Sequence, residues 1–251
     1  MNNQEILDAL RGEDEIRASL AMQELLSHTN LLNELPKLQD MDDSPLLRKR
    51  VQQLSSILNR GFLEFHLQEA LKDDSFTNWD VFCQINVILD QQSSLIQIDE
   101  LLKAIVGNGH FRFRSSEQFA DYLREAGFAP EETGNPRIVD YLVSDVLFSR
   151  IGSPLVLAVI AERTAKLHNW NVHTGFVDGR PVIRDGSFNV LSPAQHWKIT
   201  HPNLGEFTVA TKRELAIRLL THVVQTSILE QLHSVTYHGF SLLSQLAQEK
   251  N

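Results

Sequence analysis

The run SPLVLAVIAERTAKL, Ser153 to Leu167, followed by NVHTGFVDGRPVIRD, Asn171 to Asp185, decides the fold of this chain. Ser153-Pro154 is a helix start, a serine N-cap followed by the residue preferred at the first helical position. Leu155 through Ile160 are all apolar, so this helix is hydrophobic around most of its girth and must lie at the centre of a core. Beyond Leu167 the period changes. Val172, Thr174 and Phe176 alternate with His173, Gly175 and Val177, Asp178-Gly179 is a hairpin turn signal, and Pro181 to Arg184 returns as a second strand. Pro181 marks that strand as an edge or a strand start. Phe188 to Leu191 reads as a short third strand ending at another helix start, Ser192-Pro193, and Glu206 to Ala210 offers a fourth.

Upstream the pattern is helical throughout. Ile6, Leu7, Leu10, Ile16, Leu20 and Leu25 predict one kinked helix or two short ones around Gly12. Ser44-Pro45 opens a stripe of Leu47, Val51, Leu54 and Leu58 that breaks near Gly61, and separate helices follow over Phe62 to Leu71, Trp79 to Leu89 and Ile98 to a stop at Gly107. Ser115-x-x-Gln118 is a capping box for a helix carrying Phe119 and Leu123 and stopping at Gly127. Ala129 to Asn135 reads as a polar linker, and Ile138, Leu142 and Val146 resume helical spacing. Downstream, Thr211-x-x-Glu214 caps a long helical region with Leu215, Leu219, Ile228, Leu232 and Leu243 apolar. The expected class is α+β, with a helical lobe over 1–134 and a core of central helix, small antiparallel sheet and C-terminal helices over 135–251.

With 251 residues, 42% hydrophobic and 22% charged, the composition is globular and excludes disordered and fibrous classes. A single cysteine excludes an intramolecular disulfide, a C-x-x-C pair and a cysteine-based zinc knuckle, and suits a reducing compartment. No signal peptide or spanning segment is legible, so a cytoplasmic location is expected. The net charge of −9, from 23 basic against 32 acidic residues, has the wrong sign for phosphate backbones and anionic lipid. No nucleic-acid or membrane partner is therefore expected. P-loop, dinucleotide and nucleophile-elbow motifs are absent, so no cofactor is implied. Gly107-Asn108-Gly109 is a turn, and His110 to Arg114 reads as a solvated connection between helices. His168, His173 and His196 share the second lobe with Asp185, but their spacings match no ligand signature and no metal is expected. His222, His233 and His238 read as ordinary helix-surface histidines.

Around the central helix, Val146-Leu147, Arg150, Gly152-Ser153-Pro154, the apolar helix to Leu167 and the hairpin after it resemble the SirB-type branch of the transglutaminase-like superfamily, whose fold is related to papain-like proteases. The likeness runs from about Asp73 to Trp197 and includes the helical lobe ending in a Gly-Phe turn, here Gly127-Phe128. In catalytic relatives a cysteine opens the central helix, a histidine on the next strand acts as base and an aspartate orients it. The resemblance places Pro154 at the cysteine position, Arg180 of Gly179-Arg180-Pro181 at the histidine position and Asp185 at the aspartate position. Proline has no nucleophile, and a guanidinium accepts no proton at working pH. Ser153 is accounted for as an N-cap, and Cys83, within Val81-Phe82-Cys83-Gln84-Ile85, reads as a small buried hydrophobe.

The resemblance therefore implies a pseudoenzyme, a bacterial regulatory or accessory factor binding a protein or peptide in a groove near Gly152, Ser153, Pro154, Arg180 and Asp185, with Arg180 and Asp185 expected to pair. Two alternatives stay open. One is a hydrolase or acyltransferase with an unrecognised nucleophile such as Ser187. The other is a structural homo-oligomer subunit whose interface is the acidic N-terminal lobe or the long C-terminal helical region, a reading that an exposed stripe of Leu219, Ile228 and Leu232 would favour.

Overall fold

The computed structural model describes residues 3–26, 44–90, 92–107, 111–201 and 206–248, so the expected turn at Asn108-Gly109 and His110 lie outside it. The chain divides into two compact units, Met1–His66 and Leu67–Asn251. The sequence boundary expected at 134 lies within the second unit.

The first unit is helical. Helix α1 (Asn3–Arg11), helix α2 (Glu15–Leu26) and the beginning of helix α3 (Pro45–Lys72) enclose Ile6, Leu10, Ala21, Leu47, Val51 and Leu54. The region around Gly12 thus resolves into two helices. The buried Arg50 guanidinium donates to the carbonyls of Leu10 at 2.8 Å and Gly12 at 2.5 Å, satisfying the end of α1, and pairs with Glu15 at 3.1 Å. Helix α3 does not break at Gly61. A glycine inside a helix costs only ~1 kcal/mol relative to alanine, and without a capping turn that cost does not end the helix.

The second unit is α+β. Helices α4 (Asn78–Leu89), α5 (Leu95–Val106) and α6 (Ser116–Glu125) begin at the N-caps Thr77, Ser94 and Ser115. The short strand β1 (Ala129–Pro130) then pairs in parallel with β2 (Ile151–Gly152), so the expected polar linker begins as a strand. Between them lie a 3₁₀ turn (Ile138–Asp140) and helix α7 (Val143–Ser149). Helix α8 (Pro154–Leu167) is the expected central helix. Its residues Leu155 through Glu162 are all buried, and it packs on α4 and on the sheet.

The sheet has the order β6-β5-β4-β3-β7, all antiparallel: β3 (Val172–Val177), β4 (Arg180–Asp185), β5 (Val190–Ser192), β6 (Lys198–Thr200) and β7 (Phe207–Val209). The β3–β4 hairpin and Pro181 at a strand start match the sequence, since β4 pairs with β5 only from Ile183 onward. The third strand begins at Val190 rather than Phe188, because Asp185 ties residues 187 to 189 into a turn. Ser192-Pro193 opens only a 3₁₀ turn, and strand β6, Lys-Ile-Thr, is too short for its alternation to reveal it. The C-terminal region is two packed helices, α9 (Lys212–Leu229), capped by Thr211, and α10 (His233–Gln248), separated where Gln231 takes a positive φ of 59°.

The buried Glu162 of α8 sets the register of these layers. Its carboxylate accepts hydrogen bonds from Thr174 on β3 at 2.6 Å and Asn78 on α4 at 2.7 Å, and pairs with Lys166 at 3.2 Å. Burying a carboxylate without such donors costs several kcal/mol, so the contacts specify how helix and sheet align.

Candidate functional site

The amino end of α8 is assembled from three short segments. Helix α7 ends with Arg150 in the left-handed region at φ 67°, which turns the chain into β2. Gly152 is required there by close approach, because a Cβ would stand 2.5 Å from a methyl of Val146. Ser153 donates its N–H to the Asp140 carbonyl at 2.8 Å, and its hydroxyl accepts from the Val156 N–H at 3.3 Å. That hydroxyl is engaged as a cap and is buried, as the sequence predicts.

The residues matched to a catalytic triad are not brought together. Arg180 is exposed at the hairpin end of β4, and Asp185 is buried at the other end of the same strand, five residues or about 16 Å away. The expected Arg180–Asp185 pair is therefore corrected. An odd separation along one strand also puts the two side chains on opposite faces. The Asp185 carboxylate instead accepts from the Ser116 hydroxyl, the N–H groups of Ser187 at 2.8 Å and Asn189 at 2.9 Å, and the Asn189 amide at 3.0 Å. With four donors it is saturated. Ser187, the alternative nucleophile, uses its N–H in that turn.

The histidines are dispersed. His168 is buried at the carboxyl end of α8, with Nδ1 3.0 Å from the Phe111 carbonyl and Nε2 3.0 Å from the Val106 carbonyl. His196 pairs with Glu132 at 2.8 Å when protonated. Among the described residues no group of three or more His, Cys, Asp and Glu converges as metal ligands would. Cys83 is buried, and burial, reinforced by Asp80 and Asp99, pushes its thiol well above the ordinary range. The stripe Leu219, Ile228, Leu232 is not one exposed face, since Leu219 is buried while Ile228 is 58% exposed.

Beside β2 the structure opens a cleft of about 980 Å³, walled by Pro130 and Glu131 of the β1 segment, by Asp145 and Phe148 of α7, and by Ile151. It adjoins the expected groove: Asp140 and Ile151, which flank Ser153 in contact or sequence, line it, while Gly152, Ser153, Pro154, Arg180 and Asp185 do not. Phe148 is 85% exposed. Asp145 is half-buried, and burial with the nearby Asp90 holds its carboxyl above the usual aspartate range, with no cation offsetting either effect among the described residues. Asp145 and Phe148 are three residues apart on α7 and so share one helical face.

Sequence reading missed this pair, although a signal was present. Val146-Leu147-Phe148 are three consecutive apolar residues on a helix turning 100° per residue. Leu142, Val143, Val146 and Leu147 fill the inward face, which leaves Phe148 outside it. No protein-family model, curated protein or solved structure matches this chain.

Proposed function

We propose that this chain is a non-catalytic protein of the SirB-type transglutaminase-like kind that binds a peptide segment of a partner protein in the cleft beside β2. The observation that carries the proposal is the half-buried Asp145 carboxylate, with no cation beside it among the described residues, one helical turn from the exposed ring of Phe148. A lysine or arginine entering the cleft meets a carboxylate that has no counter-ion among the described residues and an aromatic face that attracts cations. An apolar neighbour on the same segment covers Phe148 and Ile151, which monomers gain by burying. The triad-matched positions Pro154, Arg180 and Asp185 supply neither nucleophile nor base, so the bound segment is held rather than cleaved. A bacterial regulatory or accessory role follows from the same resemblance.

Isothermal titration of a Lys-Phe-Lys-Lys-Phe-Lys peptide tests this reading. The expected result is binding to the parent and at least about fivefold weaker binding to Asp145→Asn and to Phe148→Ala. Equal affinity in all three proteins, or hydrolysis of the peptide, overturns it.

A further inference from the structure

A second surface, sharing no residue with the cleft and independent of the reading above, lies on the outward face of the five-stranded sheet. Thr174 points at α8 through its bond to Glu162, so His173 and Gly175 on β3 face away from the helix, as do their partners Arg184 and Val182 on β4. Gly175 leaves a notch in this face. A Cβ there would stand 2.3 Å from the Thr208 carbonyl oxygen and 2.5 Å from Cζ of Phe207, so the neighbouring strand and the Phe207 ring occupy the place of a side chain. The Arg184 guanidinium stacks 4.2 Å from the centroid of that ring and 5.3 Å from the centroid of Phe188.

Phe188 is 55% exposed and holds a φ of 66°, a conformation that bulky residues rarely adopt. The saturated Asp185 carboxylate imposes it, by gathering the N–H groups on both sides of Phe188. Backbone strain is thus retained to place an exposed aromatic ring beside an arginine. Arg184 also lacks a carboxylate partner among the described residues, whereas Arg218, stacked 3.8 Å from the Phe176 ring, pairs with Glu214 at 3.4 Å. Arg180 and Lys198 are exposed on the same outward face.

We propose that this face binds an acidic peptide segment of a partner protein, a carboxylate taking the open side of the Arg184 guanidinium and an apolar side chain covering Phe188. Two stacked rings limit the motion of the guanidinium, so little is lost when it forms a fork to a carboxylate. Nucleic acid and anionic lipid have the same sign of charge, but a chain of net charge −9 repels an extended polyanion at long range, while a short carboxylate segment meets only the local cations.

The test is fluorescence anisotropy with a labelled Glu-Phe-Glu-Glu-Phe-Glu peptide against the parent, Arg184→Gln and Phe188→Gly. Glycine adopts the φ of residue 188 freely, so that variant keeps the turn. The parent is expected to bind in a salt-sensitive way, and each variant about tenfold more weakly, while the Lys-Phe-Lys-Lys-Phe-Lys peptide is unaffected by either change. Binding unchanged in both variants, or absent from the parent, overturns the proposal. So does tighter binding of a twelve-residue oligo-dT or of phosphatidylserine vesicles, which makes the face a polyanion site, and so does self-association of the parent that Arg184→Gln abolishes.

Discussion

The Ser116 hydroxyl donates a hydrogen bond to the Asp185 carboxylate, joining the first turn of α6 to the end of β4 across 69 residues of sequence. This contact, with the three N–H donors from the following turn, gives the aspartate a structural task.

Asp185→Ala leaves those donors without their acceptor and is expected to cost about 3 kcal/mol in urea denaturation. Arg180→Ala, at the exposed end of the strand, is expected to stay within about 0.5 kcal/mol of the parent. The double variant should be additive, since the two residues share no partner among the described residues. A coupling energy well above 0.5 kcal/mol, on the order of an ion pair, contradicts their separation.

Val159 lies at the middle of α8 and is 1% exposed. Val159→Asp places an unpaired carboxylate in the core and is expected to cost more than about 3 kcal/mol, read as a large fall in the thermal midpoint. A variant melting within a degree or two of the parent would place the central helix elsewhere.

The Cys83 thiol, held protonated by burial, should resist alkylation by iodoacetamide at pH 8 in the native protein and react once the chain is unfolded in urea. Cys83→Ser is expected to remove no protease, amidase or transglutaminase activity. Rapid native alkylation, or a thiol-dependent activity lost with it, refutes this.

Asp145 carries the opposite linkage from a paired carboxylate. Its folded-state pKa is raised, so the folded protein binds the proton more tightly than the unfolded chain does. The contribution is unfavourable above the folded pKa and fades as pH falls through it toward the ordinary value of 3.8. Asp145→Asn should therefore raise stability at pH 7 by a few tenths of a kcal/mol, about 0.5 at most given partial exposure, and leave stability near pH 3 unchanged. Lys-Phe-Lys-Lys-Phe-Lys binding should weaken over the same acidic range. A loss of stability at pH 7 would mean that a cation accompanies Asp145.

Helix α8 and the β3–β4 hairpin were legible because each signal sits within a few residues: a serine cap and proline at 153 and 154, an unbroken apolar run, then alternation closed by Asp178-Gly179. Gly61 misled for the same reason, since a local helix-breaking preference of about 1 kcal/mol yields to the continuing apolar stripe on either side. The two-residue pairing of Ala129-Pro130 with Ile151-Gly152, the strand at Lys198–Thr200 and the position of β7 beside β3 have no local signature. Asp185 could be singled out in the sequence, but its acceptance of the Ser116 hydroxyl could not, nor could the five-residue run of β4 that separates it from Arg180.

The sequence by itself determined the α+β class, the central helix, the hairpin and the cap role of Ser153, because propensity, capping and periodicity act between neighbours in the chain. Only the tertiary structure decided that Asp145 has no cation beside it among the described residues and neighbours an exposed Phe148, and that Arg184 lies against both Phe207 and Phe188. Which charge finds a partner depends on segments distant in sequence meeting in space, and that encounter is written in packing rather than in any local pattern.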